Sequence, residues 1–220
     1  MTFRALVFDF DGLILETEGP SLESWIEIYR EHGFEVPLQK WDDDIGSDRG
    51  FEPVDYLAAM VGEGLDRVAT QQRREQRKNE LIEALDLMEG VRDYIADARR
   101  MGLKLAIASS SSREWVLGHI ERLRIHAFWD AVLTRDDVAR TKPAPDLYVA
   151  AVKALGVHPS QAIALEDSPN GIAAAKEAGL RCVAVPNALT RDLDISRADV
   201  RLASLAEMPL ERLLAVLSAR

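Results

Sequence analysis

The stretch ALVFDFDGLIL, residues 5–15, decides how the rest of this chain is read. Ala5–Phe8 is an unbroken apolar run, the pattern of a strand buried on both faces, as in a parallel sheet. Asp9, Asp11 and Gly12 follow at once and end it in a loop. Two acids therefore stand at the carboxyl end of a strand, which is where open α/β sheets bind their ligands.

Working outward, the pattern changes from Pro20 to a helical one. Leu22, Trp25, Ile26 and Tyr29 fall at i, i+3, i+4 and i+7, and Gly33 ends the helix. Val54, Leu57, Ala58 and Val61 mark a second helix, stopped by Gly62, and Asp66–Leu85 reads as a third, more polar one. No strand is expected between Glu16 and Leu85. Beyond them helix and strand alternate. Strands are expected at Leu103–Ala108, Ala131–Leu133, Ala162–Leu165, Cys182–Val185 and Val200–Leu202. Helices are expected around Val91–Arg100, Trp115–Leu123, Leu147–Leu155, Gly171–Ala178 and Leu210–Leu217. Alternation of this kind implies a doubly wound parallel sheet of the α/β class, here interrupted by a helical insertion after its first strand.

Composition narrows the function. The 220 residues carry 27 Lys and Arg against 37 Asp and Glu, a net charge of −10, so most of the surface would repel a nucleic-acid backbone. No nucleic-acid partner is expected. Cys182 is the only cysteine, which excludes an intramolecular disulfide and a multi-cysteine zinc site. The early apolar run is far too short for a signal-peptide core or a membrane span, so no membrane partner and a cytoplasmic location are expected. The sequence carries no signal for oligomeric state.

The residues after the other strands complete a rim. Ser109–Ser112 follow one strand, Lys142 in KPAPD lies a few residues beyond the next, and Glu166 and Asp167 follow a third. Four carboxylates cannot all stay ionised together without a counter-charge. Their oxygens suit Mg²⁺, and Lys142 with the serines offers a charge and donors to an anion. A divalent metal, an anion site and a spare carboxylate are the parts of phosphoryl transfer.

On these residues the chain resembles the haloacid dehalogenase superfamily, in its subgroup of β-phosphoglucomutase-like phosphatases. DFDGLIL at Asp9–Leu15, LAIAS ending at Ser109, KPAPD from Lys142 and LEDSPNGIAAAKEAG from Leu165 look like its four motifs, in order and over nearly the whole chain. The resemblance implies Asp9 as nucleophile and Asp11 as general acid and base. Ser109 and Lys142 would hold the phosphoryl oxygens. Mg²⁺ would be held by Asp9, the backbone carbonyl of Asp11, Glu166 and Asp167. It further implies an α/β core of residues 1–15 and 86–220, a helical cap of residues 16–85 closing over the site, and Arg49 in that cap as a substrate contact.

The implied function is Mg²⁺-dependent hydrolysis of a small phosphorylated metabolite, with a sugar phosphate as one candidate, through an aspartyl-phosphate. A β-phosphoglucomutase-type isomerase is the main alternative. It calls for extra cationic groups in the cap, yet Ser21 stands where a histidine would fall and DDDIGSDRG has no lysine. A haloacid dehalogenase has no use for Asp11 and the Glu166–Asp167 pair, and a non-catalytic binding protein has no need of acids at every motif. Arg73, Arg74, Arg77 and Lys78 read as a solvated helix face, Asp42–Asp44 as an exposed acidic turn, and Trp25 and Trp115 as core. His32, His119, His126 and His158 match no motif.

Overall fold

The computed structural model describes residues 2–42 and 52–219. Six strands form one sheet: β1 (Ala5–Phe8), β2 (Lys104–Ala108), β3 (Ala131–Leu133), β4 (Ala162–Glu166), β5 (Arg181–Ala184) and β6 (Val200–Arg201). All are parallel, in the order β3-β2-β1-β4-β5-β6. Strand β1 is central, with Phe8 level with Ile107 of β2 and Leu165 of β4. The chain winds outward through β2 and β3, then returns to the other side of β1. That reversal opens a crevice between the carboxyl ends of β1 and β4.

The α-helices are α1 (Glu18–Glu31), α2 (Leu38–Asp42), α3 (Pro53–Val61), α4 (Arg67–Glu83), α5 (Val91–Arg100), α6 (Arg113–Arg122), α7 (Asp146–Leu155), α8 (Pro169–Glu177) and α9 (Leu210–Ser218). Side chains alternate across the strands, so each continuous apolar run serves two cores. Leu6, Phe8, Leu105, Ile107, Ile163 and Leu165 pack against α5, α6 and α9. The intervening, mostly smaller Ala5, Val7, Ala106, Ala108, Ala162 and Ala164 let α7 and α8 approach the other face. Phe8 is fully buried, and truncating such a side chain costs about 3–5 kcal/mol.

Helices α1 to α4 follow β1 with no strand among their described residues, and they enclose an apolar cluster of their own around Trp25, Ile28, Tyr29 and Leu57. Tyr29 ties α1 to α3 by donating to the Pro53 carbonyl at 2.7 Å. Asp66 caps α4, accepting from the amides of Val68 and Ala69. The two connections to the sheet run side by side, since the Met88 amide donates to the Ile14 carbonyl at 2.9 Å and Leu15 bridges Leu87. The five-residue α2 was not expected, because one turn is too short to show a period. Asp42 ends it, while Asp43, Asp44 and Arg49 lie outside the described residues.

Candidate active site

Each strand end delivers its residue to the crevice. Asp9 follows β1, with its amide donating to the Leu165 carbonyl at 2.9 Å. Glu166 closes β4, and Asp167 is next in sequence. Lys142, on the loop before α7, is buried with its ammonium 2.5 Å from Asp9 Oδ1 and 2.7 Å from Glu166 Oε1. Tyr148 of α7 donates its hydroxyl to the same Glu166 oxygen. Two glycines permit this crowding. A Cβ on Gly171 would sit 2.0 Å from the Glu166 carboxylate. One on Gly12, whose φ is +78°, would meet Asp167 Oδ2 at 2.4 Å.

The electrostatics follow from three carboxylates and one ammonium sharing a dry site. Burial, reinforced by Glu166, raises the Asp9 pKa from 3.8 to about 8, against the opposing pull of Lys142. Burial and the repulsion of Asp9 and Glu166 hold Asp167 well above the carboxylate range. Burial disfavours the Lys142 ammonium, but Asp9 and Glu166 outweigh it and raise its pKa.

A divalent cation fits this deficit of positive charge. Asp9, Glu166 and Asp167 each offer an oxygen within 4.8 Å of the others, a hard donor set suited to Mg²⁺. Their shares differ. Glu166 Oε1 already accepts from Lys142 and Tyr148, whereas Asp9 and Asp167 line the open cavity. Asn187, just past β5, donates Nδ2 to Asp167 Oδ2 at 2.8 Å and orients it.

Asp11 lies apart from the cluster. Its carboxylate accepts from Thr17 Oγ1 at 2.9 Å, Ser109 Oγ at 3.2 Å, Ser111 Oγ at 2.7 Å and Trp115 Nε1 at 2.9 Å. Ser109 is fully buried, with its Oγ also accepting from the Ser111 amide, and its neighbours Ser110, Ser111 and Ser112 line the cavity.

That cavity, about 410 Å³, runs from Asp9 and Asp167 up to α1 and α4. Three sequence readings are corrected here. The basic stretch is not one solvated face. Arg73 and Arg77 pair outward with Glu31 and Glu27, but Arg74 and Lys78, one turn apart on the other side of α4, line the cavity. Trp115 is not simply core, since its indole binds Asp11 and Lys78 lies 4.3 Å from its ring centre. The helices between β1 and α5 do not lack cations beside Ser21, because the Arg74 guanidinium donates to the Ser21 hydroxyl. Trp25 and Cys182 are buried as expected.

Residues 6–185 match the family model for haloacid dehalogenase-like hydrolases. The chain belongs to that family. Within these hydrolases it is 44% identical over 211 residues to the Bacillus subtilis protein named "Putative phosphatase YhcW", covering 96% of both. It is 31% identical to the validoxylamine A 7'-phosphate phosphatase of Streptomyces hygroscopicus, covering 94% of this chain and 96% of that one. A solved structure of a CbbY variant from Rhodobacter sphaeroides, in complex with xylulose-(1,5)bisphosphate, superposes with a TM-score of 0.74 at 30% identity, covering 94% of this chain and 96% of that one.

Proposed function

We propose that the protein is a Mg²⁺-dependent phosphatase that hydrolyses a small phosphorylated metabolite of sugar type through an aspartyl-phosphate. The observation that carries this is the pairing of Asp9 with Lys142, 2.5 Å apart at the floor of a cavity that Asp11 also lines. The match to phosphatase-named relatives along nearly the whole chain supports the same reaction class.

Asp9 attacks phosphorus through a carboxylate oxygen, and the bond from phosphorus to the leaving alkoxide breaks. Asp11 gives that oxygen its proton, then takes one from the water that attacks the aspartyl-phosphate, releasing phosphate and restoring Asp9. Lys142 places a fixed positive charge beside the phosphoryl oxygens, and the loop from Ser109 supplies hydrogen-bond donors. Asp9 and Asp167 would hold the metal directly and Glu166 would brace Lys142. A cation held there would offset charge on the phosphoryl group. Residues 16–85 act as a cap that excludes water, swinging on the paired connections near Leu15 and Leu87, with Arg49 as a substrate contact.

A screen of phosphorylated metabolites for phosphate release, with Mg²⁺ and with EDTA, tests this reading. Release that needs Mg²⁺ and is lost in Asp9→Asn is expected; release indifferent to both refutes it. The isomerase reading gains one observation, the cations Arg74 and Lys78 in the cavity. With β-glucose 1-phosphate and a bisphosphate primer, phosphate release with little glucose 6-phosphate is expected.

A further inference from the structure

Tyr148 of α7 is fully buried in the core between that helix and the sheet, and it does not line the cavity. Phenylalanine would fill the same space, and a buried hydroxyl costs stability unless it is paired. This one donates to Glu166 Oε1, the oxygen that also meets the Lys142 ammonium at 2.7 Å. Lys142 lies 5.4 Å from the centre of the Tyr148 ring, within cation–π range. Tyr148 therefore touches both members of the Lys142–Glu166 pair.

Glu166 has a second use open to it. One of its oxygens lies within 4.8 Å of oxygens on Asp9 and Asp167, near enough for all three to surround one cation. What holds it back is occupancy. A carboxylate only accepts, with roughly two sites on each oxygen. Lys142 and Tyr148 take those of Oε1, while Oε2 accepts from the Asp167 amide at 3.2 Å, with Ser168 Oγ at 3.5 Å. The carboxylate also lies flush against Gly171, so it has little room to turn. Loss of the Tyr148 hydroxyl would leave Oε1 with Lys142 alone. The carboxylate would then pull the ammonium harder, away from Asp9 and from a phosphoryl group, and would have a lone pair to spare for a cation.

We infer that Tyr148 is a positioning residue, whose hydroxyl keeps Glu166 turned to Lys142 and out of the metal's donor set, so that Lys142 stays placed for the phosphoryl oxygens. The inference rests on the phosphatase reading and adds to it a residue that acts from outside the cavity.

Tyr148→Phe keeps the ring and removes only the hydroxyl. Two constants are measured: the Mg²⁺ Kd by calorimetry, and the Ki of inorganic phosphate against p-nitrophenyl phosphate at saturating Mg²⁺. In the variant the phosphate Ki should rise about tenfold, the low end of what a hydrogen bond to a charged group is worth, while Mg²⁺ binds as tightly as in the wild type or more tightly. A merely structural role would weaken both together. Both are affinity constants of the folded molecules, so a partly unfolded preparation lowers the number of sites and leaves the constants in place. In a Glu166→Gln background the hydroxyl should change the phosphate Ki by less than about twofold, because its effect passes through the carboxylate. Mg²⁺ binding weakened by more than about twofold, a phosphate Ki within about twofold of wild type in Tyr148→Phe, or additive losses in the double variant overturns the inference. Asp9-dependent hydrolysis of p-nitrophenyl phosphate by the wild type reports separately on the phosphatase reading, and its absence overturns both.

Discussion

Removing the divalent cation should make the protein's stability depend steeply on pH. Asp9 is raised to about 8 from 3.8 by burial and by Glu166. A carboxyl whose folded pKa is raised is bound to its proton more tightly in the folded state. Its contribution is complete below the unfolded value and is lost as pH climbs to the folded one. From about pH 5 to about pH 8 that loss spans roughly three units, or about 4 kcal/mol. This is a large share of a typical total of about 5–15 kcal/mol. Asp167, raised for the same reasons, acts in the same direction. Lys142 does not enter, because a raised lysine loses its contribution only above about pH 10. Mg²⁺ held as proposed would compete with protons for these oxygens, so it should stabilise most at the alkaline end. Urea unfolding followed by circular dichroism, in EDTA and in saturating Mg²⁺, measures all four corners. Metal-free protein equally stable at both pH values would refute the reasoning, and Asp9→Asn in EDTA should show much of the slope gone.

Three further outcomes are expected. Trp115→Phe keeps the ring under Lys78 but removes the indole donor to Asp11, so turnover should fall about tenfold, less than the ~10²–10⁴ for loss of an acid–base group. The drop should be larger for an alkyl phosphate than for p-nitrophenyl phosphate, which a purely structural defect would not produce. Asn187→Ala frees Asp167 and should raise the Mg²⁺ concentration for half-maximal activity by about 10- to 100-fold, read from a metal titration. Arg49→Ala should raise KM for the preferred substrate while leaving that half-maximal Mg²⁺ concentration in place, as steady-state kinetics will show.

The sheet was legible because its strands are short apolar runs, those at its centre buried on both faces, and Ala5–Phe8 and Ala131–Leu133 begin and end where the sequence places them. The rim was legible because its residues follow those runs directly: Asp9, Glu166 and Asp167 meet through neighbouring strands. What escaped the sequence depends on which way a helix faces. Arg73, Arg74, Arg77 and Lys78 form two pairs at i, i+4, and nothing local says that Arg74 and Lys78 look into a cavity while Arg73 and Arg77 look out. Trp115 is apolar and falls beside Val116 on a helix, so it reads as core until Asp11, 104 positions away, is brought to its indole. Asn187 had a signal that could have found it, since it stands just beyond the carboxyl end of β5, on the rim the fold singles out.

The central claim is the covalent step on Asp9, and trapping it tests that claim most directly. Asp11→Asn should still accept phosphate from p-nitrophenyl phosphate, whose leaving group hardly needs a proton, but should lose the base that activates water. The account predicts a burst of up to one p-nitrophenol per enzyme, a slow steady rate, and a phosphorylated protein after acid quench with the adduct at Asp9 by mass spectrometry; Asp9→Asn should show neither burst nor adduct. An Asp11→Asn enzyme with near-normal turnover and no adduct, or an adduct that persists in Asp9→Asn, would contradict it.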